Sequence, residues 1–421
     1  MTKGIRTEGD FIKINEWLLP LSWLYSLGVR LRNWMFDVGI LKAQAYDIPV
    51  ISVGNITVGG SGKTPHVEYL VSLLQDVFKV AVLSRGYKRK SHGYVLADAN
   101  TEMSQIGDEP YQMHQKFHHI YVAVDKNRRE GIERLQSDDA TKDVDVILLD
   151  DAFQHRFVQP GINILLIDYH RLIIYDKLLP AGRLREPESG KNRADIVIIT
   201  KCPRDLKPME FRVLTKALSL YPYQELYFTT LDYCDLQPLF YHTTVDGSGI
   251  SPSDNPYDTR KGCRNGRPLK SIQGQHVLLI TGIASPKQIL QDLSEIEPAD
   301  ITPLIFSDHH NFKSTDIEKI NETFKSLLSP KTIITTEKDA ARLQNVDGLS
   351  EEVKRNLFVI PIRIRFMLNK GKNFNQKMIS YVRKNSRNSI LVKGKDDNKS
   401  KDSHHIGNRT RTISFRDNGQ L

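Results

Sequence analysis

Short, nearly continuous apolar runs separated by helical stretches dominate the first half of the chain. Several of them end in a polar or acidic residue, and they cover residues 48–53, 80–84, 144–150, 162–168 and 196–200. Strands buried on both faces of a parallel sheet have this pattern, whereas half-exposed strands alternate apolar and polar residues. The pattern therefore predicts an α/β domain built on a parallel sheet.

A second, smaller α/β unit is predicted after this domain. Strands are expected at residues 276–281, 332–336 and 357–362, and helices at 286–293 and 315–327. Because strands and helices alternate again, the fold class is α/β throughout.

The remaining segments are polar and lack apolar periodicity. The stretch at 243–271 predicts a long surface loop, and the Lys-, Asn- and Ser-rich residues beyond about 383 predict a flexible basic tail. We therefore predict five segments: an N-terminal amphipathic helix (1–40), a first domain (41–228), a linker with the polar insertion (229–272), a second domain (273–370) and a basic tail (384–421).

The N-terminal segment is the one part of the sequence that indicates a membrane. On a helix, its apolar side chains form one stripe, made of Pro20, Trp23, Leu24, Leu27, Leu31, Trp34 and Met35. A Trp-containing apolar stripe flanked by Arg is typical of a helix lying among lipid headgroups. Packing of the stripe on the protein's own core is an equally good interpretation at this point. No apolar run is long enough to predict a membrane span.

Composition limits the possible partners. A chain of 421 residues with a formal net charge of +9 favours anionic ligands, such as nucleic acid, anionic lipid or phosphorylated small molecules. No patch of interleaved aromatic and basic residues is present, so we do not expect nucleic acid to bind. The three cysteines lack the spacing of zinc ligands.

A glycine-rich loop after the first predicted strand is the strongest local motif. The loop contains Gly59, Gly60, Ser61, Gly62, Lys63 and Thr64, and Pro65 follows in the first turn of a predicted helix. In such a loop, backbone N–H groups surround phosphate oxygens, the lysine reaches the β- and γ-phosphates, and the threonine hydroxyl binds Mg²⁺. One departure from the usual P-loop pattern is Thr57, at the position of the first glycine.

A phosphate loop needs a nearby carboxylate to hold the metal ion. Asp150 and Asp151 end an apolar strand, at the sheet edge where ligands bind in open α/β sheets. One of them is expected to bind Mg²⁺, while the other could instead cap the next helix. Gln154 and His155 follow closely and are expected at the same edge.

The nucleotide is expected to be ATP. Proteins selective for GTP have an Asn-Lys-x-Asp motif after a late strand, and this chain has Thr200-Lys201-Cys202-Pro203 at the comparable place. Pro203 replaces the carboxylate that would bind the guanine edge.

Two segments offer a base for a hydroxyl acceptor. One is Asp108-Glu109 before Pro110, and the other contains His309 and His310. Carboxylates and histidines are the usual proton acceptors in such reactions. Helix capping for the acidic pair and ordinary surface-loop roles for the histidines remain open from spacing alone.

Taken together, these motifs resemble the tetraacyldisaccharide 4′-kinase family, the lipid A 4′-kinases of Gram-negative bacteria. The resemblance runs from about residue 17 to residue 364. It rests on the segments 53–65, 83–87, 107–110, 150–156, 179–187, 308–312 and 335–339. Thr57, unusual for a generic P-loop, matches this family's version of the loop.

The resemblance implies a reaction and a location. The enzyme would transfer the γ-phosphoryl group of ATP, with Mg²⁺, to the 4′-hydroxyl of a tetraacylated glucosamine disaccharide 1-phosphate, giving lipid IVA. Such proteins are peripheral on the cytoplasmic face of the inner membrane and contain two P-loop-like α/β domains joined by a β-ribbon. The implied partners are the acylated disaccharide and the membrane lipid surface.

The resemblance also implies residue roles. Lys63 and Thr64 would contact the nucleotide and Mg²⁺, and Asp150 and Asp151 would form the acidic strand-end pair. Asp108 would be the catalytic carboxylate, paired with His309, although the adjacent His310 leaves that pairing open. The cleft is expected to be lined further by Arg85, Glu109, Gln154 and His155. A P-loop ATPase that passes phosphate only to water is the main alternative function.

Overall fold

The computed structural model describes residues 12, 14–240, 266–283, 286–308, 310–344 and 346–386. Its larger sheet is formed mainly by the first half of the chain. The strands of that half are β1 (Val50–Gly54), β2 (Val80–Ser84), β3 (Val95–Leu96), β4 (Tyr121–Val124), β5 (Val146–Asp150), β6 (Ile162–Asp168), β7 (Ile196–Thr200) and β8 (Glu225–Tyr233). All of these except β3 run parallel. The predicted parallel sheet is confirmed.

Helices cover both faces of this sheet, as the continuous apolar runs predicted. The helices of this half are α1 (Leu19–Asp37), α2 (Lys63–Leu74), α3 (Met103–Ile106), α4 (Asp108–Lys116), α5 (Arg128–Ser137) and α6 (Pro208–Leu218). Buried side chains of α2 and α4 pack with Val80 and Val82 of β2, and those of α5 pack with Ala81 and Leu83 on the opposite face. Both faces of β2 are therefore core.

Among the described residues, the second sheet has five strands. They are β9 (Gln237–Pro238), β10 (His276–Thr281), β11 (Asp300–Ile305), β12 (Lys331–Thr336) and β13 (Leu357–Ile360), in the order β11-β10-β12-β13-β9. Only β9 is antiparallel. The helices α7 (Lys287–Ser294), α8 (Ser314–Ser326), α9 (Glu337–Leu343) and α10 (Glu351–Asn356) bury their apolar side chains against it.

After β13 the chain returns to the first sheet. Strand β14 (Ile362–Phe366) pairs antiparallel with β8, and helix α11 (Gly371–Asn385) adds Phe374, Met378 and Val382 to the first core. Within the described ranges, the larger sheet thus has nine strands in the order β14-β8-β7-β6-β1-β5-β2-β4-β3. The sequence predicted that the second domain extends to residue 370. In the structure the chain leaves the second sheet after Ile360 and joins the first sheet at Ile362, with Pro361 between the two strands.

Some predicted segments fall wholly or partly outside the described residues. These are most of the polar insertion at 243–271 and the basic tail from residue 387 onward. Helix α11 occupies residues 384 and 385, which the sequence analysis assigned to the tail.

The N-terminal helix α1 contacts the first domain through polar groups. Ser22 Oγ donates to Leu178 O at 2.8 Å, and Arg156 Nη2 lies 2.6 Å from Asp37 Oδ1. Most of the predicted apolar stripe is exposed, including Trp23, Leu24, Leu27, Leu31 and Trp34. The stripe is therefore not packed on the protein's own core. Within the described ranges, no helix is long and apolar enough to cross a membrane.

Candidate active site

The glycine-rich loop joins β1 to helix α2, as the sequence predicted. Helix α2 begins at Lys63, directly after Gly62. Gly59 and Gly62 have positive φ angles of 116° and 81°, which residues with a Cβ rarely adopt. The first N–H groups of a helix lack a carbonyl one turn earlier, so the start of α2 offers free donors and a partial positive charge to an anion.

Thr57 has a structural reason for not being glycine. It forms an antiparallel bridge with Leu184, and the neighbouring Val58 N–H donates to Arg183 O at 2.8 Å. The first part of the loop is thus extended backbone paired with residues 183–185, where a β-branched residue is favoured. Just before this stretch, the buried Asn55 donates through Nδ2 to Ser61 Oγ at 2.7 Å and ties the two ends of the loop together.

Lys63 faces the acidic end of strand β5. Its Nζ lies 3.5 Å from Asp151 Oδ1, and Arg185 Nη1 lies 3.6 Å from Asp151 Oδ2. Asp151 has a positive φ of 48°, which turns the chain sharply away from the strand. Lys63, Arg185 and Asp151 therefore lie together at the carboxyl edge of the sheet.

Asp150 lies beside the loop and fits a metal ligand. It pairs with Val53 of β1, and its carboxyl group is almost fully buried. Ser84 Oγ donates to Oδ2 at 3.1 Å, whereas the buried Oδ1 has no hydrogen-bond partner among the described residues. Burial, Glu109 and Asp151 raise the pKa of Asp150 to about 7, opposed by Lys63 and Arg128. A buried carboxylate oxygen without a donor is stabilised by a cation.

No group of three or more His, Cys, Asp or Glu side chains suited to a metal ion occurs in the described part of the chain. Mg²⁺ in phosphate-transfer sites usually takes one or two carboxylates, water and substrate phosphate oxygens. Asp150 with Thr64, the second residue of α2, suits that arrangement.

Asp108 and Glu109 open helix α4 near the same edge. Gly107 before them has a φ of 89°, and a Cβ there would lie 2.7 Å from Tyr87 O, so only glycine fits this approach. Asp108 Oδ2 accepts a hydrogen bond from Arg342 Nη2 of helix α9, in the second domain. Glu109 is close enough to Asp150 to raise its pKa.

Of the two candidate histidines, His310 is described and His309 lies outside the described residues. His310 Nε2 lies 2.8 Å from Asp316 Oδ2, and its ring stacks on Phe306 at 4.8 Å between centroids. His310 is therefore held inside the second domain. The pairing of Asp108 with His309 stays a prediction.

Gln154 and His155 connect the site to the N-terminal helix. Gln154 accepts hydrogen bonds from Arg185 Nη1 at its side-chain oxygen, at 3.3 Å, and from Arg32 Nη2 of α1 at its carbonyl, at 3.4 Å. Burial and then Arg128 lower the pKa of His155 to about 4, so its imidazole is neutral at physiological pH. The positive charge of Arg85 also lowers the pKa of His155.

Comparison with known proteins agrees with these motifs. The family model described as tetraacyldisaccharide-1-P 4′-kinase matches residues 14–383. The tetraacyldisaccharide 4′-kinase of Phocaeicola vulgatus is 55% identical over 384 residues, which is 91% of this chain and 99% of that protein. The Bacteroides thetaiotaomicron protein of the same name is 51% identical over 383 residues, covering 91% and 97%. The chain belongs to the tetraacyldisaccharide 4′-kinase family.

A solved structure supports the same assignment for this kinase. The crystal structure of LpxK from Aquifex aeolicus in complex with ATP matches with a TM-score of 0.64 and 26% identity, covering 87% of this chain and 99% of that chain. The resemblance and the α/β fold class are therefore confirmed. The predicted enzyme class, a kinase, is confirmed as well.

Sequence reasoning missed two arginines of this kinase. Arg128 is fully buried behind the site and donates through Nη2 to Asp150 O at 3.0 Å. The sequence signal for Arg128 is its position shortly after strand β4, because polar residues that follow parallel strands lie at the same edge of the sheet. Arg342 contacts Asp108 from another domain, and no local pattern predicts a contact across so many residues.

Proposed function

We propose that this kinase transfers the γ-phosphoryl group of ATP to the 4′-hydroxyl of tetraacyldisaccharide 1-phosphate, giving lipid IVA. The observation that carries the proposal is the cluster of charged side chains at the ends of β1 and β5. Lys63 Nζ lies there 3.5 Å from Asp151, beside Asp150, whose buried Oδ1 has no hydrogen-bond partner in the part of the chain that the structure describes. A lysine and a metal-binding carboxylate beside a phosphate loop are the parts that phosphoryl transfer requires.

The loop from Gly59 to Thr64 would hold the phosphate groups of ATP through its backbone N–H groups and Lys63. Asp150 and Thr64 would hold Mg²⁺, with Asp151 close by. Bound Mg²⁺ would supply charge neutralisation on the phosphate oxygens. Lys63 adds a second positive charge where negative charge develops, and such electrostatic stabilisation carries most of the catalysis in this reaction class.

Asp108 would take the proton of the acceptor hydroxyl. The 4′-oxygen forms a bond to the γ-phosphorus, the bond to the oxygen bridging the β- and γ-phosphates breaks, and ADP leaves with the electron pair. The hydroxyl proton passes to the Asp108 carboxylate, assisted by His309 from the second domain. Arg342, which contacts Asp108 from that domain, would keep the carboxylate aimed into the cleft.

The acceptor would lie along Arg85, Glu109, Gln154 and His155. Arg185, whose Nη1 lies 3.6 Å from Asp151 Oδ2, would suit an anionic group of the nucleotide or the 1-phosphate of the acceptor.

Helix α1 would place this kinase on the cytoplasmic face of the inner membrane. Its exposed apolar stripe suits insertion among lipid headgroups. The opposite side of α1 is fixed close to the site, since Tyr25 Oη donates to Arg185 O at 2.9 Å and Arg32 reaches Gln154 O. A lipid acceptor in the membrane would therefore meet the site beside α1.

Product analysis tests the proposal. We expect the kinase, with ATP and Mg²⁺, to add one phosphate to the tetraacyl disaccharide 1-phosphate and to leave an acceptor lacking the 4′-hydroxyl unchanged. Hydrolysis of ATP at the same rate with either acceptor, without phosphorylated lipid, would instead identify a P-loop ATPase.

A further inference from the structure

The carbonyl groups of the phosphate loop are tied to side chains outside the loop. Gly60 O accepts a hydrogen bond from Lys201 Nζ, and Ser61 O accepts one from Thr200 Oγ1 at 2.9 Å. Gly62 O lies 2.7 Å from His66 Nδ1. The three successive carbonyl groups of Gly60, Ser61 and Gly62 therefore each have a side-chain partner. These contacts hold the part of the loop that directly precedes Lys63.

Because the peptide bond is planar, a hydrogen bond to a loop carbonyl also sets the direction of the next N–H group. In a trans peptide, the carbonyl of one residue and the N–H of the next point in opposite directions within one rigid plane. A hydrogen bond that fixes Ser61 O therefore also fixes the direction of the Gly62 N–H, and one that fixes Gly62 O fixes the Lys63 N–H. These N–H groups precede or begin helix α2, where no intrahelical carbonyl accepts from them.

We infer that Thr200 and His66 are positioning residues of the phosphate loop, which hold the carbonyls of Ser61 and Gly62 away from the nucleotide so that the N–H groups of Gly62 and Lys63 face the phosphates of ATP, and that Lys201 fixes the preceding peptide between Gly60 and Ser61. The inference rests on the proposed function, in which ATP occupies this loop. It also gives a role to the Thr200-Lys201 pair, which stands where GTP-selective proteins have an Asn-Lys-x-Asp motif.

Each of these side chains is itself fixed by a neighbouring strand. Lys201 Nζ lies 2.8 Å from Asp168 Oδ2 at the end of β6. Thr200 is the last residue of β7 and is fully buried. His66 Nε2 lies 3.0 Å from Thr229 Oγ1 of β8. Strands β6, β7 and β8 are adjacent in the sheet. The side chains that contact the phosphate loop are therefore anchored on the edge of a rigid sheet, and not on a second loop.

The protonation of His66 agrees with its role as a donor to the loop. A carbonyl oxygen only accepts hydrogen bonds, so Nδ1 must carry the proton that is directed at Gly62 O. Burial lowers the pKa of His66 to about 4, so the ring is neutral and Nε2 accepts from the Thr229 hydroxyl. One tautomer therefore satisfies both contacts.

Lys201 adopts an unusual backbone conformation to reach the loop. Its φ is 57°, in the left-handed region that residues other than glycine rarely occupy. Its ammonium group bridges the Asp168 carboxylate and Gly60 O, and it therefore fixes the peptide between Gly60 and Ser61. The N–H of that peptide donates to Gly59 O at 3.0 Å, so Lys201 supports the fold of the loop rather than acting as a second phosphate-binding lysine.

Matched substitutions in the full-length kinase test the inference. Thr200→Val removes the hydroxyl donor at constant shape, and Thr200→Ser retains it. His66→Gln places its amide nitrogen near the Nε2 position, whereas His66→Asn places it near Nδ1 and retains the donor to Gly62 O. The measurements are the dissociation constant for ATP, the separate KM values for ATP and acceptor, and the melting temperature.

We expect Thr200→Val and His66→Gln to weaken ATP binding by about three- to tenfold, the effect of one hydrogen bond. Thr200→Ser and His66→Asn should recover most of the affinity, and the KM for the acceptor should stay unchanged in all four variants. The inference is overturned if Thr200→Val binds ATP within twofold of the unmodified kinase. It is equally overturned if ATP affinity, acceptor KM and melting temperature all worsen together without rescue by Ser or Asn. Failure of the unmodified kinase to bind ATP would instead refute the proposed function.

Discussion

Arg342 of helix α9 donates a hydrogen bond to the carboxylate of Asp108 at the first position of helix α4. The contact joins the second domain to the residue that we propose as the base. Arg342 Nη1 also lies 3.4 Å from the buried carboxylate of Asp339, which accepts from Gly282 N–H at 2.9 Å. The position of Asp108 is therefore coupled to the second sheet rather than set by helix α4 alone.

Replacement of Asp108 tests its proposed role as the base. We expect Asp108→Asn to lower kcat by about 10²–10⁴, because the amide cannot accept the hydroxyl proton. The dissociation constant for ATP should change little, since the phosphates are held by the loop. The exposed Asp139 provides the control, and Asp139→Asn should keep full activity. Near-normal turnover by Asp108→Asn would remove this residue from the mechanism.

A buried ion cluster should control the stability of the domain contact. Lys116 Nζ lies 2.7 Å from Glu68 Oε2 and 2.7 Å from Glu337 Oε1, and all three side chains are buried. Lys116→Met would leave two carboxylates without a cation, so we expect a loss of about 3–5 kcal/mol in the free energy of unfolding. Urea denaturation measures this loss.

The exposed pair of Lys142 and Asp139 is the matched control for this experiment. Lys142→Met should change the free energy of unfolding by less than about 1 kcal/mol, because water screens such pairs. Equal effects of the two lysine substitutions would show that the buried cluster does not stabilise the fold. Combining Lys116→Met with Glu68→Gln and Glu337→Gln should recover part of the loss.

The affinity for Mg²⁺ should depend on the protonation of Asp150. The metal binds the ionised carboxylate, and a pKa raised to about 7 means that a proton competes below that pH. We expect the apparent affinity for Mg²⁺, titrated with ATP present, to be about tenfold weaker at pH 6 than at pH 8.

Protonation of ATP itself would also weaken metal binding at low pH, and two variants separate the effects. Glu109→Gln and Asp151→Asn each remove a negative charge that raises the pKa of Asp150, so the midpoint should move to lower pH. A midpoint that is the same in the unmodified kinase and both variants would exclude Asp150 as the group responsible.

Membrane binding should depend on the exposed face of helix α1. Leu24, Leu27 and Leu31 are 68%, 66% and 53% exposed, so their replacement by Gln should leave the melting temperature unchanged. The triple variant should bind vesicles containing anionic phospholipid more than about tenfold more weakly, because less apolar surface is buried. Leu328→Gln is the control, since Leu328 is 70% exposed but lies outside α1. Equal vesicle binding by the triple variant would contradict insertion through this face.

The sequence predicted features that depend on local pattern. Asp150 was placed at the sheet edge because a continuous apolar run leads up to it, and Lys63 because glycines precede it and a helix follows. The sequence did not predict that Ile362–Phe366 pairs with the first sheet, because an apolar run indicates a buried strand but not the sheet to which the strand belongs. Arg342 was missed for a similar reason, because its contact with Asp108 depends on how two domains pack.

The central claim is that the loop at Lys63 directs the γ-phosphate of ATP to a lipid acceptor. Its most direct test is transfer of label from γ-labelled ATP, with Mg²⁺ and tetraacyldisaccharide 1-phosphate, into the organic phase after lipid extraction. We predict label in the lipid with the unmodified kinase and with Lys142→Met, and a loss of at least about 10³-fold with Lys63→Met. Label that remains entirely in water as inorganic phosphate, or transfer that survives in Lys63→Met, would contradict the account.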